Sequence, residues 1–376
     1  MTSPPNETES GPLSPYDAIL LMSFGGPEGP DDVMPFLRNV TAGRGIPDER
    51  LAAVAEHYRS FGGKSPINDQ NRALLGALRS ELDRRGISAP LLWGNRNFDP
   101  FVTDTLREAY DAGIRRVVAI VTSAYSSYSS CRQYREDLAA AALTLAEEGR
   151  EIEIDKVRPY FNHPGFSRTN ARLVTEAVRA LGERPDSEVR LVFVTHSISE
   201  GMDATSGPGD ADGNAYRRQH LELAAAITEE VNATLSRGLD HELVYCSRSG
   251  PPTQPWLDPD VNDALRALAA EGIRTVVVAP IGFISDHMEV RFDLDTEAAQ
   301  SAAAAGLEMV RVPTVGTDPE FVSGLVDLAF ERAAQARSGA SVAGPSWPGQ
   351  EAFPAVCRPG CCPNLRAAKP ALCGSD

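Results

Sequence analysis

Eight short apolar runs, rich in β-branched residues, alternate with amphipathic stretches along almost the whole chain. The runs lie at Tyr16–Phe24, Pro90–Asn95, Arg116–Ser123, Glu151–Val157, Glu188–Val194, Leu243–Cys246, Thr275–Pro280 and Glu308–Val312. Strands that alternate with helices are joined by crossovers, which align the strands in parallel and place helices on both faces of the sheet. The pattern therefore predicts an α/β protein built from two doubly wound parallel sheets.

Length and composition divide this pattern into domains. A chain of 376 residues exceeds the size at which one hydrophobic core usually stops growing. We expect a first domain at residues 15–163 and a second at residues 164–336. The first 14 residues are rich in Pro, Ser, Thr and Glu and predict a disordered leader. Residues 337–376 shift to Gly, Ser, Pro and Cys, which predicts a tail outside both cores.

The charge of the chain limits its partners. The formal net charge is −16, so a nucleic-acid backbone or an anionic membrane would be repelled. No apolar run approaches transmembrane length, and the leader lacks the apolar centre of a signal peptide. We therefore expect a cytosolic protein with no integral membrane segment and no nucleic-acid partner.

Two of the runs end in polar loops that carry candidate chemistry. LVFVTHSISEG places His196 just after a predicted strand, and VVVAPIGFISDHMEV places Glu289 in the loop after another. Parallel strands deliver such loops to one edge of the sheet, where ligands bind. An imidazole and a carboxylate can therefore meet in one crevice. The structural alternative for His196 is a strand-capping histidine that binds a backbone carbonyl.

An acidic series follows from Glu289. Glu289, Asp293 and Glu297 recur every four residues and fall on one face of a helix. Like charges at this spacing repel unless a cation lies along them, and carboxylate oxygens bind hard divalent cations. The alternative is a solvated acidic face. Asp286 and His287 could join the series.

The cysteines form a second group. Cys131 precedes a long Ala-rich predicted helix, and the tail contains Cys357, Cys361 and Cys362, with Cys373 further on. Clustered thiolates in a cytosolic protein indicate a metal rather than disulfides. Cys246 ends a predicted strand and is most simply a buried core thiol.

Five strings together resemble the ferrochelatase family: LLMSFGGPE, YRSFGGKSPIN, THSISEG, PPTQPWLDPDV and PIGFISDHMEV. The match covers roughly residues 16 to 335. It implies two flavodoxin-like domains that hold a porphyrin in the cleft between them, with ferrous iron as a substrate. It also implies that His196 and Glu289 are the paired metal-site residues, with Asp293 and Glu297 behind them. Which of the pair binds iron and which accepts a pyrrole proton stays open.

The same resemblance assigns porphyrin contacts to Ser65 and Tyr134. Ser65 precedes Pro66, so it could instead cap a helix. Tyr134 could instead be an ordinary residue of a first helical turn.

The substrate is suggested by the segment FLRNVTAGRGIPDERLAAV, which is short and polar where membrane-associated family members have a long apolar lip. This favours a soluble tetracarboxylate, coproporphyrin III, over protoporphyrin IX, with the product coprohaem passing to a downstream processing enzyme. The alternatives are a protoporphyrin ferrochelatase, a cobalt chelatase of corrin synthesis and a haem- or metal-binding module without turnover.

Some ferrochelatases hold a [2Fe-2S] cluster through one internal and three C-terminal cysteines, and this chain is similar. The resemblance implies Cys131, Cys357, Cys361 and Cys362 as the ligands. Cys373 could replace one of the adjacent pair. A zinc site and an unligated tail are the alternatives.

Overall fold

The computed structural model describes residues 11–43, 45–207, 213–249, 253–340, 344–348 and 351–372. Its eight strands are β1 Ala18–Ser23, β2 Leu91–Asn95, β3 Arg116–Val121, β4 Glu153–Lys156, β5 Val189–His196, β6 Asp240–Cys246, β7 Thr275–Ala279 and β8 Glu308–Arg311. Each lies within or overlaps one of the eight apolar runs, because buried parallel strands need near-continuous apolar, β-branched sequence.

Helices fill the crossovers between the strands. The α-helices are α1 Val33–Val40, α2 Asp48–Ser60, α3 Ile67–Arg84, α4 Val102–Asp111, α5 Gln133–Glu147, α6 Pro164–Ala180, α7 Glu200–Ala204, α8 Ala215–Leu235, α9 Val261–Ala270, α10 Ala299–Ala304 and α11 Pro319–Ser338. Two π-helices, Tyr128–Arg132 and Val290–Ala298, precede α5 and α10. The sequence predicted a loop where α7 lies. Ser199 caps this short helix by accepting from the backbone N–H of Met202.

All strands of each sheet are parallel. The orders are β2-β1-β3-β4 and β6-β5-β7-β8, the doubly wound arrangement that the alternation predicted. Both sheets therefore place their ligand-binding edges at the carboxyl ends of central strands, which are β1 and β3 in one sheet and β5 and β7 in the other.

One hydrophobic core joins the two sheets. It contains Ile19 and Val118 of the first sheet, Leu191 and Val277 of the second, and Phe321 of α11. Separate cores cover the opposite face of each sheet. The α/β fold with two sheets is confirmed, whereas the proposed domain limits at residues 163 and 336 stay predictions.

The ordered chain begins before residue 15. Leu13, which the sequence interpretation placed in a disordered leader, is 5 % exposed and packs in the shared core. Arg337 of α11 donates to the carbonyls of Pro12 and Ser14. The disordered leader is thus wrong for residues 11–14, because an apolar side chain there is buried. Residues 1–10 lie outside the described residues.

The tail also packs on the body of the protein. Trp347 and Phe353 contact the shared core, and the backbone N–H of Trp347 donates to the carbonyl of Asn162. The described tail residues therefore pack against the shared core from outside, and the three tail cysteines form a separate buried cluster, as expected for a tail that belongs to neither core. Over the described part of the chain, no helix combines the length and apolar character needed to cross a membrane.

Candidate active site

His196 is the last residue of β5, two residues later than the predicted end of the strand. Its ring Nδ1 lies 2.5 Å from the carbonyl oxygen of Ser197. A carbonyl only accepts, so Nδ1 carries the hydrogen and Nε2 keeps its lone pair in the neutral ring. The strand-capping contact considered above therefore exists, and it orients the other nitrogen outward.

Glu289 meets this nitrogen from the loop after β7. The distance from Glu289 Oε1 to His196 Nε2 is 3.8 Å, longer than a hydrogen bond, and both side chains reach solvent. The predicted pairing of an imidazole with a carboxylate is thus present at the carboxyl edge of the second sheet. Two groups with open lone pairs can accept a proton or bind a metal between them.

The loop that carries Glu289 passes very close to β5. A Cβ on Gly282 would lie 2.1 Å from Thr195 Oγ1, so only glycine fits at this position. The N–H of Gly282 donates to the carbonyl of Val194 over 3.1 Å. From the first half of the chain, the Tyr125 hydroxyl donates to the carbonyl of Ile281 over 2.8 Å. These contacts fix the start of the loop against the strand of His196.

A buried polar network supports His196 from behind. The Tyr216 hydroxyl donates to the His196 carbonyl over 2.9 Å and lies 2.8 Å from Thr195 Oγ1. Thr195 Oγ1 also contacts His220 Nε2 at 2.9 Å, and His220 Nδ1 donates to the carbonyl of Tyr216. The His220 ring stacks on Tyr125 with centroids 3.6 Å apart. The network therefore links both site-bearing segments to α8.

Burial keeps His220 neutral, which predicts a pH dependence. Burial lowers its pKa to about 3, below the ordinary value of 6.5. Between these values the unfolded chain binds a proton that the folded chain does not, so stability falls as pH falls. From pH 7 to pH 5 we expect the unfolding free energy of the parent to drop about 2 kcal/mol more than that of His220→Gln. Urea denaturation followed by circular dichroism measures this difference; equal drops would contradict the assignment.

The acidic series lies on a π-helix. Glu289 precedes the π-helix Val290–Ala298, which contains Asp293 and Glu297. Burial raises the pKa of Asp293 to about 6; the hydrogen bond from Ser247 lowers it, and the charges of Glu289 and Glu297 raise it. The Asp293 carboxylate therefore lies within the electrostatic reach of both Glu289 and Glu297. Inserted turns of this kind occur often at functional sites.

Asp286 and His287 differ in their relation to the site. Asp286 forms an ion pair with Arg311 at 2.7 Å, so its charge is compensated outside the series. His287 lies within the electrostatic reach of both Glu289 and His196, and burial lowers its pKa. The ring of His287 itself packs edge-on against Phe283.

Sequence reasoning missed Ser247 and Tyr58. Ser247 directly follows β6, whose last residue pairs with His196, and its hydroxyl donates to Asp293. A polar residue just past the neighbouring strand was the available signal. Tyr58 of α2 is partly buried, and desolvation together with the Glu289 charge raises its pKa. No spacing in the sequence relates α2 to that carboxylate.

The first half of the chain closes over Glu289. The rings of His57 and Phe292 stack with centroids 4.2 Å apart, and the Gln70 side chain donates to the carbonyl of Asp286 over 2.7 Å. Cavities of about 470 and 840 Å³ open elsewhere, the larger beside Glu297. Neither cavity is lined by His196 or Glu289, whose side chains are both partly open to solvent.

Ser65 and Tyr134 lie on the first half and are both buried. Ser65 Oγ accepts only weakly from the N–H of Ile67, at 3.4 Å, and sits against Gly26. Tyr134 is in the first turn of α5, with the Arg96 guanidinium 4.7 Å from its ring centroid. Both residues make the structural contacts given above as alternatives. Their contact with a porphyrin stays a prediction.

The four predicted cluster cysteines come together. Cys131, Cys357, Cys361 and Cys362 are buried free thiols, and the sulfurs of Cys361 and Cys362 are 3.9 Å apart. One hydrogen bond joins the thiols of Cys361 and Cys357, and another joins the thiols of Cys357 and Cys131. Cys373 lies outside the described residues. Within the described residues, no three His, Cys, Asp or Glu side chains are grouped so that they could hold a metal ion.

The tail reaches the active-site loop through Cys362. The N–H of Gly207 donates to Cys362 Sγ over 3.3 Å, and the N–H of Cys362 donates back to the Gly207 carbonyl over 3.1 Å. Arg135 of α5 donates to the carbonyls of Cys361 and Leu372. The thiol group therefore contacts the segment after His196 as well as the first half of the chain.

Among solved structures, the chain resembles SirB from Bacillus subtilis with Fe³⁺. The TM-score is 0.51 at 12 % sequence identity, and the match covers 85 % of this chain and 97 % of that one. At this identity the likeness establishes the fold alone.

Sequence relatives extend over nearly the whole chain. Proteins named coproporphyrin III ferrochelatase from Leifsonia xyli and Streptomyces coelicolor are each 53 % identical, over 96 % of this chain and 94 % and 97 % of their own length. A ferrochelatase from Rhodopirellula baltica is 47 % identical over 85 % of this chain and 87 % of its own length. The ferrochelatase family model matches residues 16–333. The chain therefore belongs to the ferrochelatase family.

Proposed function

We propose that this chain inserts ferrous iron into coproporphyrin III to give coprohaem in haem biosynthesis, with His196 and Glu289 as the metal-site pair. The observation that carries the proposal is the 3.8 Å approach of His196 Nε2 to the Glu289 carboxylate at the edge of the second sheet. As a ferrochelatase, the chain is a metal chelatase of the lyase class. The names of the relatives support the choice of porphyrin.

Metal insertion requires bases close to the face of the macrocycle, because two pyrrole protons must leave as iron enters. The Nδ1–H of His196 donates a hydrogen bond to the Ser197 carbonyl, so Nε2 is the nitrogen that accepts a proton or binds iron. Glu289 offers a carboxylate on the other side of the same gap. Asp293, with its pKa near neutrality, can take a proton from Glu289 and release it toward Glu297 and solvent.

Three partly buried aromatic rings of the first half, Phe24, Tyr58 and Phe98, pack edge-on around the buried Phe36 and offer apolar contacts for a macrocycle. Phe36 lies at the centre, with its ring 6.1 Å from Phe24, 5.8 Å from Tyr58 and 6.4 Å from Phe98. The charge of Glu289 also contributes to the raised pKa of the Tyr58 hydroxyl. We place the porphyrin between these rings and the His196–Glu289 pair, with Ser65 and Tyr134 as further contacts.

A tetracarboxylate substrate suits the surface of α2. In the described helix α2, Val54 is the one large apolar residue that is exposed. The rest of the outer face of α2 is largely charged. Such a surface has no apolar lip for a substrate taken from a bilayer. The free thiols of the described residues support a reducing compartment, and we place the enzyme in the cytoplasm, where a downstream enzyme would receive the coprohaem.

The test is anaerobic insertion of ferrous iron into coproporphyrin III and protoporphyrin IX, measured side by side. We expect kcat/KM to favour coproporphyrin by at least about tenfold, because each hydrogen bond to an additional carboxylate contributes about 1.5–3 kcal/mol. A preference for protoporphyrin would overturn the substrate. Tight porphyrin binding without insertion of iron would instead identify a binding module.

We also propose a [2Fe-2S] cluster held by Cys131, Cys357, Cys361 and Cys362. Four buried thiols that follow one another in a series of contacts match the number of ligands of such a cluster, and cluster binding would gather them more closely than they lie in this structure. The Gly207 N–H directed at Cys362 Sγ is the kind of hydrogen bond that stabilises a sulfur ligand. When bound, the cluster would supply a one-electron redox centre and tie the tail to the body of the protein. Cys373 stays the candidate replacement for one of the adjacent pair.

A further inference from the structure

The segment that follows β3 belongs to the first half by sequence but contacts the second half through its side chains. Its residue Tyr125 is 2 % exposed, and the hydroxyl donates to the carbonyl of Ile281 over 2.8 Å. Gln219 of α8 accepts from the N–H of Ser126 over 2.9 Å and donates to the Ser126 hydroxyl over 3.0 Å. These residues are all buried, so solvent does not compete for the hydrogen bonds.

The backbone beside Tyr125 is fixed to the first half. The carbonyl of Ala124 accepts from the N–H groups of Tyr160 and Phe161 over 2.9 and 3.0 Å. The ring of Tyr125 also stacks on the ring of Phe161, with centroids 5.8 Å apart. The Tyr125 hydroxyl is therefore a donor at a fixed position rather than one on a free loop.

The Ile281 carbonyl lies at the start of the loop that leads from β7 to the metal-site carboxylate. The neighbouring Gly282 donates to the backbone of β5 and packs so closely on Thr195 that only glycine fits. Ile281 is fully buried, so its carbonyl depends on a donor from the protein, and Tyr125 supplies one. This hydrogen bond therefore helps to set where the loop leaves the sheet.

The ring of Tyr125 also reaches the strand that carries the imidazole. It stacks on His220 with centroids 3.6 Å apart, and His220 Nε2 lies 2.9 Å from the hydroxyl of Thr195, the residue before His196. One buried side chain thus contacts the loop of the carboxylate directly and the strand of the imidazole through one intermediate residue.

We propose that Tyr125 is a positioning residue for iron insertion, and that its hydroxyl holds the start of the Glu289 loop against the strand of His196. The inference rests on the proposed function. Removal of the hydroxyl leaves the buried Ile281 carbonyl without this donor, so the loop must shift to satisfy it. A misplacement of about 1 Å at a reacting group can lower a rate about 10²-fold.

The test compares Tyr125→Phe with Tyr160→Phe in the full-length protein. Tyr160 is a matched control, because its hydroxyl is also buried and donates over 2.8 Å to a carbonyl of the first half, that of Val121. We expect Tyr125→Phe to lower kcat for iron insertion into coproporphyrin III at least about tenfold, with the porphyrin KM within about twofold of the parent. Tyr160→Phe should keep both values within about twofold.

Stability separates positioning from a purely structural role. Each variant loses one buried hydrogen bond to a carbonyl, so the midpoints of urea denaturation should fall by similar amounts. If Tyr125 served stability alone, the two variants would also have similar kcat values. A parent-like kcat in Tyr125→Phe, or equal losses of kcat in the two variants, would overturn the proposal.

A double variant shows whether Tyr125 acts through Glu289. In a Glu289→Gln background, Tyr125→Phe should lower the single-turnover rate by less than about threefold, because the group that it positions is already lost. An undiminished tenfold loss in that background would reject the route through Glu289.

Analogues of nearly the same size keep the test decisive if Tyr125→Phe folds poorly. At position 125, para-aminophenylalanine offers a donor to the Ile281 carbonyl and para-fluorophenylalanine offers none. The amino variant should insert iron at least about fivefold faster than the fluoro variant, and equal rates would reject positioning by the hydroxyl. A parent that binds porphyrin but inserts no iron would refute the proposed function, whereas an active parent indifferent to Tyr125→Phe would refute only the role of Tyr125.

Discussion

Replacing Glu289 by Gln, or His196 by Ala, is expected to lower kcat for insertion of iron into coproporphyrin III by about 10²–10⁴-fold. Both variants remove one of the two lone-pair groups that face each other across 3.8 Å. Gln keeps the shape of Glu289 but neither accepts a proton readily nor carries charge. The Ala variant removes Nε2, the ring nitrogen that stays open while Nδ1 is bonded to the Ser197 carbonyl. Anaerobic stopped-flow absorption measures the insertion step.

Matched controls come from the same elements. Asp295 lies on the same π-helix but forms an ion pair with Arg311 at 2.8 Å, so Asp295→Asn removes an acid that does not face the pair. His241 is a half-buried histidine of the adjacent strand β6 that packs on Phe193, so His241→Ala controls for loss of an imidazole. Both should retain insertion within a few-fold of the parent. Porphyrin binding, followed by fluorescence quenching, should persist in all four variants. Full turnover by Glu289→Gln would remove Glu289 from the site.

Replacing Cys131 or Cys357 by Ser is expected to abolish the visible absorption of the purified protein and its content of cluster iron and sulfide. These thiols lie at one end of the buried sulfur series, one from the π-helix Tyr128–Arg132 and one from the tail. A serine hydroxyl is a poor iron–sulfur ligand, and each substitution leaves one cluster position open. Absorption spectra and iron and sulfide analysis after anaerobic purification measure the loss.

Cys246→Ser is the matched control for these variants. Cys246 is also a buried thiol, but it lies beside Asp293 and Glu289 rather than in the sulfur group, so its replacement should leave the cluster spectrum intact. Individual Ser variants of Cys361, Cys362 and Cys373 identify the remaining ligands. A colourless parent containing zinc would contradict the cluster, and a parent with neither metal would indicate an unligated tail.

The strands and the site pair were predictable because the physical rules behind them act locally. A buried parallel strand is apolar along nearly its whole length, so the apolar runs of β1, β5 and β7 can be recognised in the sequence. A polar residue at the end of such a strand lies at the ligand-binding edge of the sheet, so the sequence alone makes His196 a candidate site residue. Glu289 was harder to predict from the strand pattern, because it lies ten residues after the last residue of β7. Its proposed role came from the family resemblance.

The contacts around the pair and around Ser65 and Tyr134 could not be predicted, because they depend on packing between segments distant in sequence. Tyr58 approaches Glu289 only because α2 folds across the second half. Tyr216 and His220 support His196 only because α8 packs behind β5. Ser65 and Tyr134 are buried against Gly26 and Arg96, contacts that no spacing encodes.

The sequence by itself determined the alternation of strands and helices, the imidazole and acids at strand ends, and the grouping of cysteines in the tail. These follow from burial and chain direction, which act on neighbours in sequence. The tertiary structure alone decided that Leu13 is buried, that the tail packs on both halves, and that the Lys156 side chain is buried. The physical reason is that a charge or side chain acquires its environment from every segment packed around it, and those segments come from distant parts of the chain.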